Sequence, residues 1–449
     1  DRRSCLPHPT AHARGGCGNR GREAPEARDL EGVAPYPHPP ERATFDPVAE
    51  LSTFRRLWQP PGRYEDRATD RRVTFLELFF DLVFVVVISQ LAHHLATHPS
   101  WSGVGWFVFL FYAVWSSWLN GTLYHDLHTT NDISVRVFTF AQMLAVSVMA
   151  VFIGDIPGEG STGFALAYAA NTFVLVILWF RTGLHDPHHR PGSFPYSTGY
   201  LMAALLFVVS VAFDGPLRYW LWAAALVAEV AGWVVGMYRW KPPATQGGDA
   251  RISSTPSLIE RMGLFVIIVL GEVIVGAVNG MADVHPLGVD GIVIGLLGVV
   301  VAIGLWWIYF DLISYQAPVP RRTQLWLNLH FPLVAAIGAG GAAVLNTVEH
   351  VAEPLPDAVR WLLVGSLAGA VLSIALLAWA LELRRTQPEL YRTAEIALPL
   401  SALLCLGVGL TDWGAKASLT AMVVLLLAPV AAGTVVWLKH PEPNTVDLD

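Results

Sequence analysis

The chain has 449 residues, of which 53% are hydrophobic and 14% are charged, and its formal net charge is −7. Soluble domains carry about 25% charged residues, so this composition excludes an ordinary soluble globular protein. No basic stripe or basic helix lies outside the loops, which gives no indication of nucleic acid as a partner. The three cysteines, Cys5, Cys17 and Cys405, are far apart and predict neither a disulfide framework nor a zinc site.

Residues 1–70 differ in composition from the rest of the chain. They are rich in Arg, Pro and Gly and contain few apolar runs. Such a segment buries too little apolar surface to offset the entropy of ordering, and it lacks the apolar core of a signal peptide. We therefore predict a disordered cytoplasmic N-terminal segment over residues 1–70.

Long apolar blocks follow, each near the roughly 20 residues that a helix needs to cross a bilayer. The predicted spans are 73–95, 102–124, 133–154, 163–181, 197–213, 217–237, 258–281, 289–315, 326–347, 359–381, 394–411 and 416–437. Residues 240–257 are predicted to be a cytoplasmic linker, and 440–449 a short polar tail. The expected fold is an all-α polytopic membrane protein with about twelve transmembrane helices, and its first partner is the lipid bilayer.

The distribution of Lys and Arg predicts the orientation. Sixteen of these residues follow residue 72, and thirteen fall at helix ends or loops on the side of the N-terminus. Only Arg218, Arg360 and Lys416 fall on the opposite side. Because cytoplasmic loops carry an excess of Lys and Arg, we predict that both termini are cytoplasmic.

Two motifs recur in the same order along the chain. The segment 75–90 aligns with 258–273, which places Glu77 over Glu260 and Ser89 over Glu272, and 115–120 aligns with 306–311. Six helices return the chain to the same side, so two halves, 71–239 and 258–439, would form a 6+6 parallel repeat of the kind found in some transporters. Chance alignment of two hydrophobic helices is the alternative.

Several acidic residues lie inside predicted spans, where an ionised side chain costs at least ~2.5–3.5 kcal/mol. Glu77 and Asp81 are four residues apart and share a helix face. Asp81 is either a proton- or cation-binding carboxylate or a buried packing residue bonded to a neighbouring helix. Glu272 lies near the middle of the seventh span and is the strongest single candidate for function. Glu229 is central in the sixth span.

The remaining candidates lie nearer the helix ends. Asp311 follows Trp306 and Trp307, and His330 lies about one turn inside the ninth span, so that a proton relay and a satisfied structural histidine are both open. The remaining polar residues have structural roles in this interpretation. Glu260 and Arg261 are expected to pair with other helices or to anchor the helix end, and Asn171 and Gln142 to form interhelical hydrogen bonds.

No cofactor or metal motif is recognisable in the sequence. Histidines cluster at the end of the first span and in a loop, and neither cluster has a carboxylate or cysteine set at the spacing of a closed metal site. These histidines are His93, His94 and His98 in the first cluster, and His185, His188 and His189 in the second.

The run 76–85 (LELFFDLVFV), with Glu260-Arg261 and Leu270-Gly271-Glu272 further on, resembles the paired signatures of the bacterial low-temperature-requirement A (LtrA) family. The tryptophans before Asp311, and His330 in the next helix, are also similar to the family pattern. Ser257 stands where a histidine is expected, and Val273 where a serine commonly follows Gly-Glu. The resemblance implies a multi-pass protein of the bacterial inner membrane, named for growth in the cold, and brings no substrate or reaction.

Three functions remain open from the sequence. The first is transport of protons or cations along a path lined by the intramembrane carboxylates. The second is a membrane enzyme or lipid-handling protein, although no nucleophile is recognisable. The third is a structural or sensory protein in which the buried polar groups specify packing. The oligomeric state is left open.

Overall fold

The computed structural model describes residues 59–62, 72–128, 133–240, 255–314, 316–351, 354–381 and 388–439. This part of the chain contains twelve long α-helices. They are α1 Phe75–Thr97, α2 Trp101–His128, α3 Ile133–Phe152, α4 Gly160–His185, α5 Arg190–Ser210, α6 Pro216–Arg239, α7 Pro256–Asp283, α8 Val289–Leu312, α9 Thr323–Glu349, α10 Asp357–Ala380, α11 Pro388–Val408 and α12 Ala415–Lys439. The predicted segment 1–70 lies outside the described residues except for 59–62, as do the tail 440–449 and most of the linker 240–257.

All twelve of these helices are long and apolar enough to cross a membrane. For the described residues, the predictions of an all-helical fold and of about twelve spans are therefore confirmed. The helix starts differ most at α5 and α11, which begin seven and six residues before the predicted positions, at Arg190 and Pro388. Proline is favoured in the first helical turn, because a backbone N–H at that position would have no acceptor within the helix. Each of these helices therefore begins in a polar segment that hydropathy alone would place outside the span.

Side-chain caps determine where α1 and α7 begin. The Thr74 hydroxyl accepts the backbone N–H of Glu77 at 3.3 Å, and the Glu77 carboxylate accepts the backbone N–H of Thr74 at 2.9 Å. This reciprocal capping box satisfies two donors that would otherwise have no partner. At α7, the Thr255 hydroxyl accepts the N–H of Leu258 at 3.1 Å.

Helix α1 has neighbours from both parts of the chain. It contacts α2, α3, α7 and α9, and α9 in turn packs along α7 and α10. Helices α4, α5 and α6 pack against one another in order, as do α10, α11 and α12. The contacts of α1 with α7 and with α9 therefore join the two predicted halves of the chain.

Arg218, Arg360 and Lys416, which are predicted to lie on the side opposite the termini, all form ion pairs with aspartates, and Arg360 pairs with two of them. These pairs are Arg218–Asp214 at 2.9 Å, Arg360–Asp357 at 2.5 Å, Arg360–Asp412 at 3.1 Å and Lys416–Asp290 at 2.8 Å. In every pair more than half of the aspartate side chain is exposed to solvent. Ion pairs of this kind contribute little stability.

Glycines bring α7 and α9 into backbone contact. A Cβ atom built on Gly276 would lie 2.2 Å from the carbonyl oxygen of Gly341, and one on Gly341 would lie 2.7 Å from the carbonyl oxygen of Glu272. Gly271, in contrast, has no neighbouring atom within 4 Å of such a Cβ. Close packing of small residues drives helix association in lipid, and here it fixes the backbone around Glu272.

This difference predicts that the same substitution has different effects at two positions of one helix. Gly276→Ala should lower the free energy of unfolding by about 1–3 kcal/mol, because the new methyl group overlaps the α9 backbone. Gly271→Ala is the matched control, and its methyl group meets open space. Thermal unfolding of both variants in detergent measures the effect, and equal melting temperatures would contradict the described α7–α9 contact.

Candidate functional site

The polar centre of the bundle is an ion pair between α1 and α7. The Asp81 carboxylate is fully buried, and its Oδ1 accepts a hydrogen bond from Arg261 Nη2 at 2.5 Å. The indole N–H of Trp118 on α2 donates to the same oxygen at 2.7 Å. Asp81 thus connects three helices through one carboxylate.

Aromatic rings and a second carboxylate complete the surroundings of Arg261. Its guanidinium carbon lies 5.9 Å from the ring centres of Phe80 and Trp118, and Phe265 stacks on Trp118 at 3.9 Å. Glu77 Oε1 lies 3.7 Å from Arg261 Nη1, beyond hydrogen-bond distance. One buried cation therefore compensates two carboxylates, which lie on one face of α1 because they are four residues apart.

A carboxylate at the end of α2 holds the start of α7 in place. Asp126 Oδ1 accepts hydrogen bonds from the hydroxyls of Thr255 and Ser257, both at 2.6 Å. Ser257 is the position where a histidine was expected from the resemblance. Sequence reasoning did not identify Asp126, since its partners follow it by about 130 residues.

Another buried carboxyl group, that of Glu229 on α6, faces α2 and α4. The Tyr168 hydroxyl of α4 is 3.1 Å from both carboxyl oxygens of Glu229, and the Ser116 hydroxyl of α2 is 3.3 Å from one of them. Thr172 also faces Glu229, and its hydroxyl is buried without a hydrogen bond of normal geometry. All the nearby donors are hydroxyl groups, and Glu229 makes no ion pair in the described part of the chain.

Glu272 lies on α7 eleven residues after Arg261, about 16 Å further along the helix. It is 5% exposed, and Ser89 of α1 is the polar side chain that faces its carboxyl group. Among the described residues it forms no ion pair. The α1–α7 interface therefore carries a compensated carboxylate near one end and an uncompensated carboxyl group near its middle.

The other sequence candidates lie apart from this interface. His330 is fully buried, and its Nδ1 is 2.8 Å from the Trp326 carbonyl oxygen, which can only accept, while its Nε2 is 3.0 Å from the Tyr309 hydroxyl. A neutral imidazole satisfies both contacts. Asp311 and Glu260 are exposed. Asp81, Glu272, Asp311 and His330 thus have different partners and do not form a single site.

The two amide side chains are buried, but their contacts differ from the expectation. Gln142 on α3 and Asn171 on α4 are both 0% exposed, and neither side chain has a hydrogen-bond partner among the described residues. The interhelical bonds expected of them are therefore not formed. Gln142 instead packs against the α2 backbone near Gly121.

A histidine pair joins the last residue of α2 to the connection between α4 and α5. His128 Nε2 is 2.6 Å from His189 Nδ1, and both rings are buried. Burial, together with the nearby His128, lowers the pKa of His189 well below its usual range. Sequence analysis placed His189 in a loop cluster and did not identify His128, which precedes it by 61 residues.

The family model described as "Bacterial low temperature requirement A protein (LtrA)" matches residues 72–428. The chain belongs to the LtrA family. The match runs from the cap of α1 into α12, so the LtrA region includes every polar group described above. The chain is also 25% identical over 401 residues to an uncharacterized protein of Rhizobium meliloti (strain 1021), an alignment that covers 84% of this chain and 92% of that protein.

The buried ion pair predicts strong energetic coupling between α1 and α7 of this LtrA protein. Asp81→Asn or Arg261→Met alone should cost about 3–5 kcal/mol of unfolding free energy, because each leaves a buried charge without its main partner. The double variant should cost clearly less than the sum of the two. Unfolding in detergent, arranged as a double-mutant cycle, measures the coupling.

The exposed Lys416–Asp290 pair provides the control for this cycle. Asp290→Asn should change the unfolding free energy by about 0–1 kcal/mol, as expected for a solvated pair. Additive effects of Asp81→Asn and Arg261→Met would show that the two side chains do not act together.

Proposed function

We propose that this LtrA-family protein is a proton- or cation-linked transporter of the bacterial inner membrane. The observation that carries the proposal is the pair of carboxyl groups, Glu229 and Glu272, which lie inside membrane spans, are each 5% exposed and form no ion pair within the described residues. An ionised carboxylate in this setting costs at least ~2.5–3.5 kcal/mol. Each group is therefore stable only with a bound proton or a bound cation, and exchange between these two states is the elementary step of cation-linked transport.

The chemistry around Glu229 fits this role. Its carboxyl oxygens meet the hydroxyl groups of Tyr168 and Ser116, with Thr172 close by. A set composed only of oxygen atoms suits a proton or a hard cation and does not favour an anion. The same hydroxyl groups donate to the ionised carboxylate or accept from the protonated acid, so the cluster accommodates both states.

The position of Glu272 supports a path along the α1–α7 interface. Ser89 and Glu272 occupy corresponding positions in the predicted repeat, and they face each other in the structure. A two-fold axis that runs between α1 and α7, parallel to the helices, would bring corresponding positions together in this way. The same order of packing in α4–α6 and α10–α12 supports the proposed 6+6 arrangement as well.

In this proposal the Asp81–Arg261 pair closes the path at the end where α1 begins. It lies on the same two helices as Ser89 and Glu272, about 12–16 Å away along the axis. Aromatic rings surround it, and Asp81 is fully buried. An ion moving along the α1–α7 interface to that end would have to displace or neutralise the pair.

Proton movement into proteoliposomes tests the proposal. Vesicles loaded with a pH-sensitive dye would receive an imposed gradient of Na⁺ or K⁺, and the internal pH would be followed. The wild-type chain should move protons in response to at least one gradient. Glu272→Gln and Glu229→Gln should each lower the rate at least about tenfold, because an amide cannot exchange a proton for a cation.

Glu349→Gln, the same change at an exposed carboxylate at the end of α9, should leave the rate within about twofold. Wild-type vesicles that behave as empty ones would contradict transport of these ions. Variants that fold and transport as the wild type would contradict the roles of Glu229 and Glu272. Loss of the fold in both variants, with no separate loss of flux, would favour a structural role.

A cavity supports lipid handling as a second candidate function. It has a volume of about 380 Å³ and lies between α8, α11 and α12, with mainly apolar walls that include Leu398 and Val430. The exposed Asp311 carboxylate and Trp307 lie at its edge. An apolar cavity with one carboxylate fits a single acyl chain whose head group carries a hydroxyl or a positive charge.

Filling this cavity tests the second function. Ala397→Trp places a large ring in the cavity and should lower the amount of lipid that remains bound during purification at least about threefold, as measured by mass spectrometry of extracts. Leu400→Trp, on the exposed face of the same helix, should leave it unchanged. Equal lipid content in the two variants would remove the support for this function.

A further inference from the structure

Three potential metal ligands meet where α2 ends and α4 turns into α5. His128 is the last residue of α2, and Asp186 and His189 lie in the connection between α4 and α5. Each is at most 2% exposed. One ligand atom from each residue lies within 4.8 Å of the other two. Among the described residues, these three side chains are therefore close enough together to hold one metal ion.

We propose that His128, Asp186 and His189 bind a divalent transition-metal ion of the zinc class. The two imidazole nitrogens that face each other, His128 Nε2 and His189 Nδ1, are 2.6 Å apart. In a tetrahedral zinc site with bonds of 2.0–2.1 Å, two nitrogen ligands are about 3.3 Å apart. Replacing the proton between the rings with a metal ion thus requires a displacement of less than about 1 Å.

The imidazole of His128 is oriented as a metal ligand before any ion binds. Its Nδ1 is 2.9 Å from the backbone carbonyl oxygen of Gly62, which can only accept, so Nδ1 carries the proton. The lone pair is therefore on Nε2, the nitrogen that faces His189. A hydrogen bond from the second ring nitrogen to a backbone carbonyl is the usual support of a metal-binding histidine.

The backbone holds Asp186 beside the two rings. Asp186 Oδ1 accepts the N–H groups of His188 at 3.0 Å and His189 at 3.2 Å. This turn fixes the carboxylate relative to the His189 backbone. Ligating carboxylates are themselves commonly hydrogen-bonded in this way.

Aromatic side chains surround the group. The Trp179 ring is perpendicular to His128 with ring centres 5.7 Å apart, and the Trp240 ring lies 4.3 Å from His189. The Tyr124 ring also packs on His128, with ring centres 5.6 Å apart. These contacts restrict rotation of the imidazoles, so little conformational entropy is lost when an ion binds.

The donor set determines the class of ion. Two imidazole nitrogens and one carboxylate oxygen suit Zn²⁺, Fe²⁺ and similar ions, whereas Mg²⁺ and Ca²⁺ prefer sites built from oxygen alone. Three protein ligands leave a fourth position for water or another group. The site lies at the ends of the helices and includes neither Glu229 nor Glu272, so it does not depend on the proposed transport.

Zinc titration of the purified full-length chain tests the proposal. After treatment with a chelator, the protein in detergent should bind one Zn²⁺ per chain by calorimetry, and Mg²⁺ should not compete. Asp186→Asn keeps an oxygen that accepts the two backbone N–H groups, so it preserves the turn and removes the charge. It should weaken zinc binding at least about tenfold, since even residues outside the ligand set change metal affinity by about 10–100-fold.

His185→Ala provides the matched control, because it removes an exposed histidine from the end of α4, three residues before His188. Its affinity for Zn²⁺ should stay within twofold of the wild type. If Asp186→Asn and His128→Gln bind as the wild type, or if His185→Ala loses the same amount, the result is an adventitious ion only.

Thermal unfolding gives a readout that does not depend on the variants. Zn²⁺ should raise the melting temperature of the wild-type chain, and Mg²⁺ at the same concentration should not, because an ion bound only by the folded state stabilises it. No rise with Zn²⁺ would overturn the proposal. A Co²⁺ complex should in addition show the visible absorption of four-coordinate cobalt.

Discussion

Charge neutralisation inside the bundle is the constraint on which the remaining arrangement depends. Arg261 enters the α1–α7 interface and is almost fully buried there, and its compensation requires both Asp81 and Glu77 to face it. That requirement fixes the rotation of α1 and α7 about their own axes. It also places Ser89 and Glu272 opposite each other further along the same helices. The capping box at Thr74 adds to this, because it holds Glu77 at the start of α1.

The number and type of helices followed from the sequence, and the reason is physical. A chain in hydrocarbon has to satisfy its backbone hydrogen bonds within each span, so an apolar block of sufficient length can only form a helix. The starts of α5 and α11 were less accurate, because their first turns are polar and begin at or beside a proline. Capping and proline geometry, which hydropathy does not measure, determine those boundaries.

The candidate residues followed from the sequence only as single positions. An intramembrane carboxylate is visible as a charge in an apolar run, which identified Asp81, Glu229 and Glu272. Its partner is not visible, since Arg261 follows Asp81 by 180 residues and Ser116 precedes Glu229 by 113. On α7 the backbone contact with α9 occurs at Gly276, whereas Gly271, directly before Glu272, meets open space. Pairing depends on which helices become neighbours, and local periodicity carries no information about that.

Three of the buried carboxyl groups, Asp81, Glu229 and Glu272, differ in how their charge is compensated. Asp81 has a guanidinium and an indole N–H as partners, and this strong, directional pairing suits a group that stays ionised. Glu229 has only hydroxyl groups, which adapt to either protonation state. Glu272 has a single hydroxyl beside it, and the α9 backbone is packed against its own. Compensation thus decreases from Asp81 to Glu229 to Glu272.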